Sequence, residues 1–261
     1  MEPIIGVIGG VGPQAGVDFV NKILANTIAV RDQDHINCML ISCPSLVPDR
    51  TEFLLQNKDE KDNPAFGMFE CARRLHLAVV SFASVACNTA HAQKIFTPFC
   101  AMVKQSLPGL KIINMLETCA ETVKESLSVK RMGLLATIGT HKSRVYHEYF
   151  KEENGYLLLE PDSAGQEKVH DAIYNKDYGI KANSQEISSK AREQISSEIL
   201  GLIDRGAQAI ILGCTELPLA AQGQRFSAPN KSGVPLIDPG LLAARRLIGL
   251  VAPEKLKPLL Y

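Results

Sequence analysis

The sequence has no excess charge of either sign. Its 261 residues carry 28 lysines and arginines against 28 aspartates and glutamates. Short of a local patch, that balance favours neither nucleic acid nor an anionic membrane as a partner. No apolar run reaches the roughly 18 residues of a membrane span. The N-terminus lacks a basic segment followed by a small-residue cleavage site, so no signal peptide is expected and the chain reads as cytoplasmic. The seven cysteines, Cys38, Cys43, Cys71, Cys87, Cys100, Cys119 and Cys214, are scattered, odd in number and free of C-x-x-C pairs. That pattern argues against a disulfide framework or a zinc knuckle. His35, His76, His141, His147 and His170 lack metal-ligand spacing, so no metal is expected.

What is present suits a globular chain with a full core: 46% hydrophobic and 21% charged residues. Short apolar runs alternate with amphipathic stretches. Ile4–Ile8, Ile36–Ser42, Leu77–Ala86, Ile112–Met115, Met132–Thr137, Tyr156–Leu159, Ala207–Leu212 and Val234–Ile237 read as strands buried on both faces of a parallel sheet. Phe19, Val20, Ile23, Leu24 and Ile28 recur at helical spacing, as do Ile187, Ala191, Ile195, Ile199, Leu202 and Ile203. Alternating strands and helices predict an α/β fold.

Gly10-Val11-Gly12-Pro13-Gln14-Ala15 matches the G-x-G-x-x-G/A turn of dinucleotide sites, with Asp32 or Asp34 about twenty residues on. Taken alone, it admits an NAD-dependent oxidoreductase. Two echoes change its meaning. Gly6–Gly12 resembles Gly133–Gly139, and Ala86-Cys87-Asn88-Thr89 resembles Gly213-Cys214-Thr215-Glu216. Both pairs are offset by 127 residues, and each cysteine follows a buried strand. Ile112-Ile113-Asn114 against Leu236-Ile237-Asp238 is a looser third pair. Each half then has four strands, with a glycine turn after the first and a cysteine turn after the third. Pro13 also removes an N–H donor that a pyrophosphate loop would use.

Sites in open parallel sheets form beyond the carboxyl ends of the strands. Two similar halves facing each other would make Cys87 and Cys214 equivalent groups across a cleft. One thiolate and one thiol on opposite sides of a carbon can remove a proton from one face and return one to the other. That inverts a stereocentre without a cofactor. The other cysteines read as small buried hydrophobes.

Seven motifs in order, GGVGP at Gly9–Pro13, RDQDH at Arg31–His35, PDRT at Pro48–Thr51, CNTAH at Cys87–His91, GLLATIGT at Gly133–Thr140, GCTELP at Gly213–Pro218 and PLIDP at Pro235–Pro239, span nearly the whole chain. With them the sequence resembles the cofactor-independent aspartate racemases of the Asp/Glu racemase superfamily. Glutamate racemases carry D-S-G near the start and G-C-T-H at the second turn. The single-cysteine decarboxylase relatives lack one of the two thiols.

The resemblance implies two pseudo-symmetric three-layer α/β domains, each with a mainly parallel four-stranded sheet. The first covers residues 1–115 plus 229–261 and the second 116–228, with the site in the cleft between them. It also implies a homodimer, no cofactor, and an amino-acid substrate, aspartate or a close relative. Cys87 and Cys214 are expected as the acid/base pair. Gly10, Val11 and Gly12 border the pocket; Asn88, Thr89 and Thr215 hold the α-carboxylate, as turns leading into helices do. Similarity to the family assigns Arg50 to a substrate carboxylate and matches Lys181, after Tyr174, to a family lysine. His91 reads as a packing or supporting residue rather than half of a Cys–His dyad, and Glu216 as an acid near the site or a turn carboxylate. Gly16 and Cys43 depart from the family pattern at positions expected near the cleft. A catalytically silent amino-acid binding protein of the same fold is the other alternative.

Overall fold

The computed structural model describes residues 3–56, 58–184, 186–221 and 233–258. The chain divides into two compact units, Met1–Thr118 with Gly240–Tyr261, and Cys119–Pro239. The expected boundary at 228–229 lies outside the described residues.

In the first unit β1 (Ile5–Gly9), α1 (Pro13–Asn26), β2 (Cys38–Ser42), α2 (Arg50–Leu55), α3 (Pro64–Leu77), β3 (Phe82–Val85), α4 (Gln93–Ser106) and β4 (Lys111–Ile113) alternate, and α5 (Met115–Ser126) leads out. The second unit follows the same plan. It contains β5 (Arg131–Ala136), α6 (Ile138–Ser143), β6 (Leu157–Leu159), α7 (Ser163–Tyr174), α8 (Ser189–Asp204), β7 (Ala209–Gly213), α9 (Leu217–Ala221) and β8 (Leu236–Ile237). After β8 comes α10 (Pro239–Val251).

Each unit holds a four-stranded parallel sheet, ordered β2-β1-β3-β4 and β6-β5-β7-β8. The repeat extends to register. Gly6 pairs with Ala83 and Gly133 with Ile210, so the central pairing is conserved under the same 127-residue offset. The central strands β1 and β7 are buried along their whole length. The apolar runs are continuous there because helices cover both faces. At the sheet edge β2 is only half-buried.

The repeated glycines have a packing cause. A Cβ on Gly6 would lie 2.8 Å from Val80 and 2.9 Å from Leu75 of α3; one on Gly133 would lie 2.4 Å from Ile210 and 3.2 Å from Leu202 of α8. The equivalent helix in each unit presses onto the strand at the same point. Gly16 acts likewise, with its Cβ position 3.1 Å from Leu40 and 3.3 Å from the Cα of Gly9. The departure at Gly16 therefore lets α1 sit close to the sheet.

Three local expectations change. The run at Leu77–Ala86 is not one strand: α3 continues to Leu77, Val79 turns with φ 61°, and β3 begins at Phe82. Leu77 and Val79 are exposed, so hydrophobicity there marks a helix end rather than a buried strand. Ile28 lies beyond the end of α1, where its N–H donates to the Lys255 carbonyl. Met115 opens α5 instead of closing β4. In the second unit β8 pairs with β7, and that unit runs to Pro239.

Gly10 has φ 78°, and a Cβ there would meet the backbone N of Cys43 at 2.6 Å. Gly10→Ala is expected to cost about 2 kcal/mol or more, adding left-handed strain to a backbone clash. Gly109 also has positive φ, 92°, but nothing within 4 Å of its Cβ position; Gly109→Ala is expected to cost about 1 kcal/mol. Calorimetry on the two variants measures the gap, and equal losses would rule out a contribution from the Cys43 contact.

Candidate active site

In the first unit the site residues gather at the carboxyl ends of β1, β2 and β3. Residues Gly10–Gly12 form the turn between β1 and α1, and Gly12 has φ 137°. Asp49 caps α2 by accepting from the Glu52 N–H at 2.8 Å, which places Arg50 in the first turn of that helix. Arg50 is buried and reaches back: its Nη2 donates to the Val11 carbonyl at 2.7 Å and its Nη1 to the Pro48 carbonyl at 3.2 Å. The PDRT motif and the glycine turn are thus one fastened structure.

Cys87 follows β3, and Ala86 N–H donates to the Ile8 carbonyl, so the cysteine turn lies beside the glycine turn. Cys87, Asn88, Thr89 and His91 are all buried. The Met115 N–H donates to Nε2 of His91 at 3.3 Å, and Nδ1 of His91 faces the Cys87 carbonyl at 2.8 Å. A nitrogen that accepts carries no proton, so Nδ1 is the protonated one and donates to Cys87. The ring also stacks on Phe96, with centroids 4.4 Å apart. His91 therefore holds the backbone of the cysteine turn and the start of α5. Neither ring nitrogen is available as the base of a Cys–His dyad.

In the second unit Cys214, Thr215 and Glu216 follow β7 and are buried. The Cys214 thiol donates to Oε2 of Glu216 at 3.0 Å, and the Thr215 hydroxyl approaches the same oxygen at 3.3 Å. Oε1 accepts from Nζ of Lys181 at 2.7 Å. The side chain of Glu216 is 4% exposed and that of Lys181 24%. Burial first, and then the Glu216 carboxylate, raises Cys214 well above the ordinary thiol range, against a smaller opposing pull from Lys181. Cys214 is held as a thiol.

Lys181 is delivered by a reversal at the end of α7. Ile180 and Lys181 donate backbone N–H groups to the carbonyls of Ala172 and Ile173. These are carbonyls that a helix end leaves without partners of its own. The loop explains the seven-residue spacing from Tyr174. Lys181 Nζ lies 5.0 Å from the Tyr174 ring centroid, and His170 stacks on the other end of the chain of contacts, 4.6 Å from Tyr174. Nδ1 of His170 accepts from the Ile138 N–H at 3.4 Å, at the turn after β5. Sequence reasoning missed His170. Its i,i+4 spacing from Tyr174 on α7 was the available signal. Tyr146 was missed too; it is fully buried, and desolvation with nearby Cys119, Asp238 and Cys214 keeps its hydroxyl protonated.

The model of the Asp/Glu/hydantoin racemase family matches residues 8–247. The chain belongs to that family. Among solved structures it is similar to the aspartate racemase of Picrophilus torridus, with a TM-score of 0.74 and 28% identity over 95% of this chain and 94% of that one. The broad specificity amino-acid racemase RacX of Bacillus subtilis is 24% identical over 257 residues, 94% of this chain and 96% of RacX. A glutamate racemase of Levilactobacillus brevis is 23% identical over 167 residues, 64% of this chain and 54% of that enzyme. Membership in the racemase family makes the protein an amino-acid racemase, an isomerase. Among the described residues no helix is long and apolar enough to cross a membrane.

Burial holds His91 down at about 4, against a weaker upward pull from the Cys87 and Asn88 carbonyls. In this racemase the unfolded chain takes up that proton near pH 6.5, before the folded one does. The stability contributed by neutral His91 is complete above pH 6.5 and is lost as pH falls toward 4, with a slope of up to about 1.4 kcal/mol per pH unit. His91→Gln should lower stability at pH 7 yet flatten that slope. Urea midpoints across pH 4–7 measure both, and an unchanged slope would show that His91 is not the group being titrated.

Proposed function

We propose that the protein interconverts L- and D-aspartate, or a closely related amino acid, by a two-base mechanism in which Cys87 and Cys214 act on opposite faces of one α-carbon. No cofactor takes part in this reading. The observation that carries it is the equivalence of the two cysteine turns: each follows the third strand of its sheet, and the register beneath them is the same under a 127-residue offset. The aspartate racemase of Picrophilus torridus and the broad specificity RacX support the substrate class without fixing the side chain.

The α-proton of an amino acid is weakly acidic, so the carbanion needs support as much as the base does. Asn88, Thr89 and Thr215 sit in turns whose N–H groups suit the α-carboxylate, where negative charge grows as the proton leaves. The glycines of Gly10–Gly12 let the backbone come close to a small ligand. An Arg50 fork suits the side-chain carboxylate. The three donors of the Lys181 ammonium can serve a substrate carboxylate besides Glu216.

Cys214, held as a thiol by its burial and then by Glu216, is the proton donor of the resting enzyme. Cys87 then takes the α-proton of the first substrate enantiomer. After the transfer Cys87 is the thiol and Cys214 the thiolate, the state that processes the opposite enantiomer.

Exchange of the α-proton in deuterated water, followed by NMR across several amino acids, tests the reading. Wild type should exchange and racemise aspartate or a near relative, and Cys87→Ala and Cys214→Ala should each lower racemisation by about a thousandfold or more. Near-normal racemisation in both variants would end the two-thiol mechanism. Binding of amino acid without exchange would favour a silent binding protein, and a rise in melting temperature with NAD would favour an oxidoreductase.

Glu216→Gln removes the charge that opposes ionisation of Cys214 while keeping an acceptor for its thiol. The alkaline limb of the racemisation profile is expected to move to lower pH. A pH–rate profile superimposable on wild type would remove Glu216 from the control of Cys214.

A further inference from the structure

A second group of thiols lies behind the glycine turn, outside the residues assigned to racemisation. Cys43 sits in the turn after β2, half-buried, between exposed Ser42 and Pro44. Arg74, on α3, donates from Nη1 to the Cys43 sulfur at 3.0 Å. Arg74 is itself held by Glu70, whose carboxylate also takes two hydrogen bonds from Arg73. Cys71, one turn of α3 before Arg74 and fully buried, hydrogen-bonds to Cys43. A guanidinium from outside and a thiol from inside therefore converge on one sulfur.

Cysteines react as thiolates, and reactive ones sit beside cationic side chains with partial access to solvent. Redox-responsive ones add a second cysteine that resolves the first oxidation product. We propose that Cys43 is a modification site for hydroperoxides, with Arg74 supporting its sulfur anion and Cys71 converting the product to an internal disulfide.

The chemistry balances. The Cys43 thiolate attacks one peroxide oxygen; an S–O bond forms, the O–O bond breaks, and the departing hydroxide becomes water with the proton that Cys43 gave up on ionising. The sulfur of Cys71 then attacks the sulfur of the Cys43 sulfenic acid; the S–S bond forms and the S–O bond breaks. A second water leaves with the Cys71 proton. Two thiols lose two electrons in total, and hydrogen peroxide accepts them as it becomes two waters.

The order of events follows from the surroundings. Burial first, then the neighbouring Cys43, pushes Cys71 up to about 12, so it meets Cys43 as a proton donor rather than as a nucleophile. Burial remains once Cys43 is a sulfenic acid, so Cys71 attacks as it passes its proton to the departing hydroxide. The modification would be felt at the glycine turn, because the Cys43 backbone lies against Gly10.

The test uses full-length protein treated with hydrogen peroxide, then alkylated, digested and mapped by mass spectrometry. Wild type should give a joined peptide pair, Cys43 to Cys71, lighter by about 2 Da than the two reduced peptides together. In Cys71→Ala, dimedone should trap the sulfenic acid on Cys43. Arg74→Gln should slow oxidation of Cys43 by about tenfold. Full alkylation of Cys43 and Cys71 after peroxide treatment of the wild type would overturn the proposal. So would a Cys43–Cys71 link found only in unfolded protein, or an unchanged rate in Arg74→Gln.

Discussion

The pairing of the two central strands in each sheet is the constraint on which the arrangement of chemical groups depends. Gly6 opposite Ala83, and Gly133 opposite Ile210, set where each strand ends. With that register, the turn after the first strand and the cysteine turn after the third emerge side by side. A slip of one residue would reverse every side chain on a strand that is buried on both faces. The apolar runs of β1 and β7 therefore do more than fill a core. They fix which backbone N–H groups and which thiol appear together at the sheet's carboxyl end.

The two units share a scaffold but not an electrostatic environment. Behind Cys87 stands a neutral imidazole, its two nitrogens committed to the Cys87 carbonyl and the Met115 N–H. Beside Cys214 stands a carboxylate, neutralised from its far oxygen by Lys181. Removing one member of a buried ion pair typically costs about 3–5 kcal/mol, because the other charge is stranded. That makes Lys181 a condition for Glu216 being ionised next to a thiol at all. The repeated fold thus leaves the two cysteines in unlike settings, one beside a neutral ring and one beside a carboxylate.

Much of this was legible in the sequence. The 127-residue offset gave both glycine turns and both cysteine turns, and continuous apolar runs located the strands, because parallel sheets bury both faces. Other features were not legible, each for a physical reason. Leu77 and Val79 are apolar but exposed, in a helix end and turn that hydrophobicity cannot distinguish from a strand. Glu216 and Lys181 are 35 residues apart, and their contact exists only because Ile180 and Lys181 bond back onto α7. The orientation of His91 was open to two readings until its ring nitrogens had named partners. Cys43 stood out as a departure from the family pattern, but Arg74 and Cys71 are brought to it by α3, at separations no local motif reports.

The opening glycine turn shows how one pattern can answer to different neighbours. Gly16 does what a late glycine does in dinucleotide loops, allowing a helix to approach a strand closely. The earlier glycines answer to other neighbours. Gly10 lies against the backbone of the Cys43 turn, and the Val11 carbonyl receives the buried guanidinium of Arg50. Pro13 contributes no N–H at the start of α1. A turn whose one side is occupied by its own chain, and whose carbonyl is tied to an arginine, is held rigid at short range. In the proposed reaction such a turn would suit a compact ligand better than an extended one, because proton transfer at a weakly acidic carbon demands close positioning.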